Sequence, residues 1–136
     1  MISNGIDLVK VDRFQELKND GTFMKKVFNE KEIEYIKFRN NDTLTIAGLF
    51  AAKEACLKAL KKGINDCPLK DIEISHDNNA PFIIFHNDLN IQNISLSISH
   101  DGEYAIAIVS IIIWMIVIYS TCLIPRLVFW IISFIC

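Results

Sequence analysis

The stretch TIAGLFAAKEACLKALKK, from Thr45 to Lys62, is the clearest secondary-structure signal in the sequence. It is rich in Ala, Leu, Lys and Glu, which favour an α-helix, and it is followed by Gly63, a residue type that commonly ends helices. At about 100° per residue, the apolar face carries Leu49, Ala52, Cys56 and Leu60. The opposite face carries Glu54, Lys58 and Lys61. The sequence therefore predicts one long central helix, which Asp42 or Thr43 is placed to cap.

Alternating apolar and polar residues on both sides of this helix predict short strands. A first strand is expected over residues 2–11, with Asp7, Val9 and Val11 on one face. Four further strands are expected over residues 71–76, 81–86, 94–99 and 104–109. The turns DNNA and HDGE join them in pairs. A helix-rich half followed by antiparallel strands predicts an α+β fold, an antiparallel sheet with a central helix.

The segment between the first strand and the long helix has mixed apolar spacings. FMKKVFNEKEIEYIKF, residues 23–38, places apolar side chains three to five residues apart. This pattern predicts short helices with a break at Asn29, followed by a loop over residues 39–43.

Length, composition and charge bound the class of protein. The 136 residues suffice for one compact domain, with 51% hydrophobic residues, 22% charged residues and a formal net charge of -2. These values exclude a disordered or collagen-like chain and give no positive field for a nucleic-acid binder. Of the 14 Lys and Arg residues, 12 lie between Lys10 and Lys62, beside only 8 acids. This local excess either attracts an acidic partner or phosphorylated ligand, or is a set of solvated lysines.

The cysteines indicate the redox compartment. Cys56, Cys67, Cys122 and Cys136 fit no zinc-binding spacing, and the polar N-terminus MISNGIDLVK is not a secretory signal. We therefore expect thiols in a reducing cytoplasm.

Asp7 is the first candidate for chemistry, because a carboxylate inside an apolar strand must be solvated, paired or bound to a metal. Gly5 nearby lets another group approach the backbone. The alternative is an ordinary turn aspartate at a strand end. Glu54 and Lys58 are the second candidate, because their i,i+4 spacing puts them on one side of the helix. There they either serve a metal and a phosphate oxygen together or form a common surface ion pair.

The third candidate is Ser99-His100-Asp101, at the end of an alternating strand. A histidine there either contacts a phosphate or transfers a proton, or it only caps a hairpin. The sequence contains no Gly-rich phosphate loop, nucleophilic-serine elbow or paired-histidine zinc motif, so many enzyme classes lose their usual signature.

Three separated motifs together resemble a known family. GIDLVKVDRF at residues 5–14, FAAKEACLKAL at 50–60 and SISHDGEYAIA at 97–107 have the order and spacing of the holo-acyl-carrier-protein synthases. These are small single-domain 4'-phosphopantetheinyl transferases. The resemblance runs from Met1 to about Val109 and defines a transferase-like domain over residues 1–110. It implies transfer of the phosphopantetheine arm of coenzyme A to a serine of apo acyl carrier protein, with release of 3',5'-ADP. It also implies Mg²⁺ as cofactor and a homotrimer with active sites between subunits.

The resemblance implies a role for each candidate residue. Asp7 and Glu54 match the family's metal ligands, and Lys58 matches a lysine that contacts the diphosphate. His100 matches the motif histidine near the coenzyme A phosphates, and Ser99 belongs to the same motif. Mg²⁺ prefers oxygen ligands, usually one or two carboxylates completed by phosphate and water, which agrees with this set. Glu54, acting through a water, is the expected base for the serine proton, so Glu54 and Lys58 are the expected catalytic residues.

The basic N-terminal half then has an expected partner. Because carrier proteins of this type are acidic, Arg13, Lys18, Lys25 and Lys26 are expected to steer one towards the site.

The sequence departs from the family pattern in three places within the domain. Leu49 stands where the family usually has an arginine that helps to hold a coenzyme A phosphate, a loss of about 1–3 kcal/mol of charge-assisted binding. Restoring that arginine is expected to raise the affinity for coenzyme A. Lys61 and Ser3 stand where glycines are common, which are milder changes.

The largest departure is an apolar tail over residues 111–136. Ala105 to Leu123 spans 19 residues without a charge, which is long enough to cross a bilayer. The tail is a frameshift-like extension, a membrane anchor or surface buried between subunits. Two alternative functions follow from these departures: a catalytically impaired homologue that only binds carrier protein, and a small membrane-anchored protein with metal-dependent phosphate chemistry.

Overall fold

The structure, a computed structural model, describes residues 1–78, 80–86, 91 and 93–112. Its strands are β1 (Ile2–Lys10), β2 (Ile72–Asp77), β3 (Ala80–Phe85), β4 (Ile94–Asp101) and β5 (Tyr104–Ile112). Its helices are α1 (Phe14–Leu17), α2 (Gly21–Val27), α3 (Glu30–Phe38) and α4 (Thr43–Leu60). Short 3-10 turns over Val11–Arg13 and Leu69–Asp71 precede α1 and β2. The predicted α+β class and all five predicted strands are confirmed, with ends that differ by at most three residues.

Two antiparallel sheets surround α4. The larger has the strand order β1-β5-β4, and the smaller is the hairpin of β2 and β3. Odd-numbered residues of β5, namely Ala105, Ala107, Val109 and Ile111, are buried on the side that faces α4. The even-numbered residues of β1 and β5 lie on the other side, which we call the outer sheet face. Because side chains alternate along a strand, one face of the sheet forms the core and the other is left uncovered.

Small residues bring β1 and α4 unusually close. Gly5 on β1 lies against the helix backbone, where an added Cβ atom would come 1.9 Å from the Ala55 carbonyl oxygen and 2.5 Å from the Ala59 amide nitrogen. Ala51, Ala52, Ala55 and Ala59 on α4 are all buried at 1% exposure or less. A side chain at residue 5 would therefore push the helix off the strand.

The start of α4 is capped as predicted, whereas its end differs from the prediction. At its start the Asp42 carboxylate accepts a hydrogen bond from the Thr45 amide at 3.0 Å, which confirms the predicted cap. At its end, the expectation that the helix runs to Lys62 is wrong by two residues. The helix ends at Leu60, and Lys61 adopts the left-handed conformation with φ 55°. The lysine occupies a position that glycine normally fills, so the chain turns before Gly63 is reached.

The predicted break at Asn29 is confirmed, because Asn29 caps α3. Its side-chain oxygen accepts from the Glu32 amide at 2.9 Å, while the Glu32 carboxylate accepts from the Asn29 amide at 3.0 Å. This reciprocal capping box fixes the start of α3, and only Phe28 and Asn29 separate α3 from α2.

The end of β5 bears on the boundary expected at residue 110. Ile111 and Ile112 continue the strand, paired with Ser3 and Ile2, and Ile111 is 2% exposed. The first two residues of the expected tail therefore belong to the sheet. The remaining tail residues, 113–136, lie outside the described residues. Within the described part of the chain, no helix has both the length and the hydropathy to span a membrane.

Candidate active site

An ion pair joins β1 to α4 at the edge of the larger sheet. Lys58 Nζ donates to Asp7 Oδ1 at 2.7 Å and to the Ile6 carbonyl oxygen at 3.0 Å. Asp7 points to the helix side of the strand and its side chain is 15% exposed, whereas that of Lys58 is 52% exposed. The close approach of β1 and α4 at Gly5 places the two groups within reach of each other.

Glu54 lies one helical turn before Lys58 and is half-buried. Burial raises the pKa of its carboxyl, and the negative charge of Asp7 raises it further, while Lys58 and Arg13 act in the opposite direction. The negative charge of Asp7 therefore disfavours the ionisation of Glu54. Among the described residues no group of three or more potential metal-ligating side chains occurs, so this chain offers two carboxylates here rather than a complete ligand cage.

The other residues of the sequence-predicted site lie elsewhere in the chain. His100 is on β4, where it pairs with Ala105, and Ala105 pairs with Val9 on β1. Since neighbouring strands are about 4.8 Å apart, His100 is two strand spacings from β1, on the far flank of α4. Ser99 is exposed and, because strand side chains alternate, points to the opposite side of the sheet.

His100 rests on the first turns of α4. Its Nε2 atom is 3.1 Å from the carbonyl oxygen of Leu44. Gly48 lies under the ring, where a Cβ atom would be 2.8 Å from His100 Nε2. One chain therefore brings Asp7, Glu54 and Lys58 together, and it presents His100 separately.

The residues expected to steer a carrier protein lie on the N-terminal helices. Arg13 belongs to the turn before α1, with its guanidinium 5.9 Å from the Phe14 ring centroid, and its charge reaches Glu54. Lys18 is half-buried, and Lys25 and Lys26 are exposed in the last turn of α2.

A cleft of about 520 Å³ adjoins Glu54. Its walls are largely apolar, with Lys26 at its edge, and its other apolar lining residues include Phe23, Val27, Phe50 and Leu69. Phe23 and Phe50 pack against each other with ring centroids 6.2 Å apart. The cleft offers an apolar contact surface directly beside Glu54.

Leu49 is a core residue. It is 2% exposed and packs within the main hydrophobic cluster. This agrees with its place on the predicted apolar face of the helix, and an arginine at this position would replace an apolar side chain in the core, at a cost in stability.

A buried ion pair behind the site was missed by sequence reasoning. Lys53, in the motif FAAKEA, is fully buried and donates to Glu32 Oε2 at 2.6 Å and to the carbonyl oxygens of Leu69 and Ile72 at 2.9 and 2.6 Å. Glu32 Oε1 also accepts from the Ile74 amide at 2.8 Å. Burial lowers the pKa of Lys53 and raises that of Glu32, and the pairing of the two charges offsets each shift only in part. The pair fastens α3, α4 and β2 together on the side of the helix opposite the larger sheet.

Comparison with known proteins places this geometry in a family. A family model described as the 4'-phosphopantetheinyl transferase superfamily matches residues 3–109. A holo-[acyl-carrier-protein] synthase of Caldicellulosiruptor saccharolyticus is 49% identical over 116 residues, covering 79% of this chain and 94% of the relative. One from Finegoldia magna is 44% identical over 104 residues, covering 76% and 89%.

Solved structures agree. The Helicobacter pylori holo-[acyl-carrier-protein] synthase in complex with coenzyme A has a TM-score of 0.70 at 39% identity, covering 80% of this chain and 97% of that chain. The Bacillus anthracis enzyme, in complex with coenzyme A (3',5'-ADP), has a TM-score of 0.70 at 33% identity, covering 80% and 94%.

The fold and the matched segment define an enzyme of the phosphopantetheinyl transferase class. The chain belongs to the 4'-phosphopantetheinyl transferase superfamily, among the holo-[acyl-carrier-protein] synthases. The resemblance of the three sequence motifs is thereby confirmed.

Proposed function

We propose that this protein transfers the 4'-phosphopantetheine arm of coenzyme A to a serine hydroxyl of an apo acyl carrier protein. The serine oxygen forms a bond to the β-phosphorus, the bond from that phosphorus to the bridging oxygen breaks, and 3',5'-ADP leaves. The serine proton passes to a base. The observation that carries the proposal is the cluster of Asp7, Glu54 and Lys58, built by β1 and α4 inside the family-matched segment.

The donor set fits Mg²⁺, with Asp7 and Glu54 as the protein ligands. At nucleotide sites this ion binds oxygen ligands. One or two of them are carboxylates of the protein, and the rest come from phosphate and water. The ammonium group of Lys58 lies against Asp7, which supports the fit because it means that Asp7 is placed to bind a positively charged group. When bound, Mg²⁺ would stabilise the negative charge that builds up on the diphosphate during transfer.

The chain's own residues would bind the diphosphate and handle the proton. Lys58 is more than half exposed, so its long side chain is able to leave Asp7 and contact a diphosphate oxygen. Glu54 would accept the serine proton through a water molecule, a role suited to a carboxylate whose pKa is raised by burial and by a neighbouring charge. His100 would contact the coenzyme A phosphates, and Ser99, whose side chain points to the other side of the sheet, would do so only through its backbone.

An acidic carrier protein would dock beside Glu54. The apolar cleft lined by Phe23 and Phe50 supplies contact area, and Arg13, Lys18, Lys25 and Lys26 supply positive charge on the adjoining helices. Electrostatic attraction of this kind mainly raises the rate of encounter, so the cleft rather than the lysines would hold the carrier in place.

A homotrimer with sites between subunits agrees with two observations. The outer sheet face exposes Ile2, Ile6, Leu8, Ile108 and Ile112 at 44% to 67%, an apolar surface suited to another copy of the chain. His100 and Asp7 lie on opposite flanks of α4, so a neighbouring copy would supply one half of each site. We assign the enzyme to the cytoplasm. Cys56 is a free thiol, which agrees with a reducing compartment, and the expected substrates are found there.

The activity is tested by mass spectrometry of the carrier. The protein is incubated with apo acyl carrier protein, coenzyme A and Mg²⁺, and the carrier mass and the nucleotide product are measured together. We expect the carrier to gain one phosphopantetheine arm, one 3',5'-ADP to appear per carrier modified, and both to stop when EDTA removes the metal. A carrier that is bound but never modified would instead support the binding-only alternative, and transfer that is insensitive to EDTA would remove the metal from the account.

A further inference from the structure

We infer that Gly48 is a positioning residue that fixes which nitrogen of His100 is available to a ligand. His100 Nε2 contacts the Leu44 carbonyl oxygen, 3.1 Å away. A carbonyl oxygen only accepts hydrogen bonds, so the nitrogen in this contact must carry the hydrogen. Neutral His100 is therefore the Nε2–H tautomer, and the lone pair is on Nδ1.

The ring reaches this carbonyl only because residue 48 has no side chain. A Cβ atom at Gly48 would lie 2.8 Å from His100 Nε2 and 3.2 Å from both His100 Cε1 and Ile98 Cγ2. Contacts this short force the imidazole away, and Ile98 adds to the crowding around the new methyl group. Gly48 is in a helix interior, where glycine is less favourable than alanine, so its presence there needs a compensating reason. The space that residue 48 leaves for the imidazole ring supplies that reason.

The position of the ring against α4 determines which nitrogen of His100 is available to a ligand. With Nε2 committed to the helix, Nδ1 is the atom that binds a proton and that then donates to an anionic oxygen. His100 is exposed, so this second nitrogen is accessible to a ligand. The ligand part of the inference rests on the proposed function, in which His100 contacts a coenzyme A phosphate. The tautomer part does not depend on it.

The tautomer is tested by nitrogen NMR of the full chain, without any substrate. The protein has three histidines, so the ring signals are readily assigned by substitution of His76, His86 and His100. We expect neutral His100 in the wild type to show a protonated Nε2 and a bare Nδ1. In Gly48→Ala that preference is expected to disappear, whereas Gly21→Ala is expected to leave it unchanged, because a Cβ at Gly21 has no neighbour within 4 Å. A wild-type Nδ1–H tautomer, or an unchanged tautomer in Gly48→Ala, would overturn the inference.

Kinetics test the consequence for the ligand. Gly48→Ala is expected to raise the KM for coenzyme A by about tenfold, with a smaller change in kcat, as loss of one charge-assisted hydrogen bond predicts. In a His100→Gln background the same substitution is expected to add little, because both changes remove one interaction. Independent, multiplicative effects would show that Gly48 does not act through His100. The wild-type tautomer measurement needs no variant, so it decides the first step even if Gly48→Ala folds poorly. If the tautomer behaves as expected but no variant or wild-type enzyme modifies the carrier, it is the proposed function that fails.

Discussion

The Nζ atom of Lys58 lies 2.7 Å from Oδ1 of Asp7, so a cation on α4 neutralises a carboxylate on β1. The contact joins two elements that are 51 residues apart in the chain. It also leaves Glu54, one turn away on α4, under the influence of the Asp7 charge. The arrangement therefore links the protonation state of Glu54 to groups whose substitution is straightforward to test.

Removing the charge of Asp7 is expected to lower the pKa of Glu54. In the wild type that pKa is above its ordinary value of 4.5 because of burial and of Asp7, so Asp7→Asn leaves burial as the main cause. A reaction that needs ionised Glu54 should lose activity as the pH falls through this raised pKa, at a higher pH than an ordinary glutamate would give. Carbon NMR titration of the metal-free protein measures the pKa directly. Asp66→Asn, on an exposed loop, is the matched control, and an equal shift in both variants would contradict the assignment to Asp7.

Gly5→Ala is expected to destabilise the protein strongly. The new methyl group would meet helix backbone at 1.9 and 2.5 Å, and a backbone cannot rotate away as a side chain does. We expect a loss of about 3 kcal/mol or more in the free energy of unfolding, at the upper end of overpacking effects. Gly21→Ala is the control, since open space surrounds that position. Urea denaturation of both variants measures the difference, and a loss below about 1 kcal/mol in Gly5→Ala would show that β1 does not lie this close to α4.

Lys53→Met is expected to leave Glu32 buried without its cation. Breaking a buried pair by removing one partner costs about 3–5 kcal/mol at neutral pH. In the variant the folded-state pKa of Glu32 rises further above its unfolded value, so the folded protein binds more protons than the unfolded one. Its stability relative to wild type should therefore recover as the pH falls through that raised pKa.

Unfolding curves at neutral and mildly acidic pH measure the loss in Lys53→Met. Lys31→Met is the control, because Lys31 is 73% exposed and only approaches Glu73 at 3.6 Å. A loss in Lys53→Met that did not change with pH would mean that the ionisation of Glu32 is not responsible.

Two impaired variants are expected to recover activity when mixed, if sites form between copies and the rate is measured at a coenzyme A concentration well below the wild-type KM, where loss of His100 slows the reaction. Asp7→Ala removes one half of the proposed site and His100→Ala removes the other. After co-expression, about a quarter of the sites in randomly mixed closed oligomers would combine both intact halves. A mixture of Asp7→Ala with Glu54→Ala should not recover, since both residues belong to the same half. Recovery in neither mixture would place both halves in one chain.

Much of the fold was predictable because local signals agreed with the tertiary structure. The Ala-rich run of α4, the Asp42 cap and the break at Asn29 are recognisable from residue types alone. The end of α4 was not, because Lys61 adopts a left-handed conformation that lysine seldom takes.

The site was predictable in part. The i,i+4 spacing puts Glu54 and Lys58 on one side of a helix, but only the register of β1 against β5 and its packing on α4 bring Asp7 to them. The apolar face of the helix correctly places Leu49 in the core, but burial also depends on neighbours that are distant in sequence, so the fully buried Lys53 was not visible. Lys53 looks like a surface residue because its partner Glu32 is 21 residues away in another helix.

The most direct test of the central claim is the rate at which phosphopantetheine is added to the apo carrier protein. We would compare the wild type, Asp7→Ala, Glu54→Ala and the control Asp66→Asn. The carrier mass is measured at saturating Mg²⁺ and coenzyme A. The account predicts a mass gain of one arm with the wild type and the control, and rates at least about 100-fold lower for the two carboxylate variants, as loss of several kcal/mol of charge stabilisation requires. Full activity in Asp7→Ala and Glu54→Ala, with their folds intact, would contradict it.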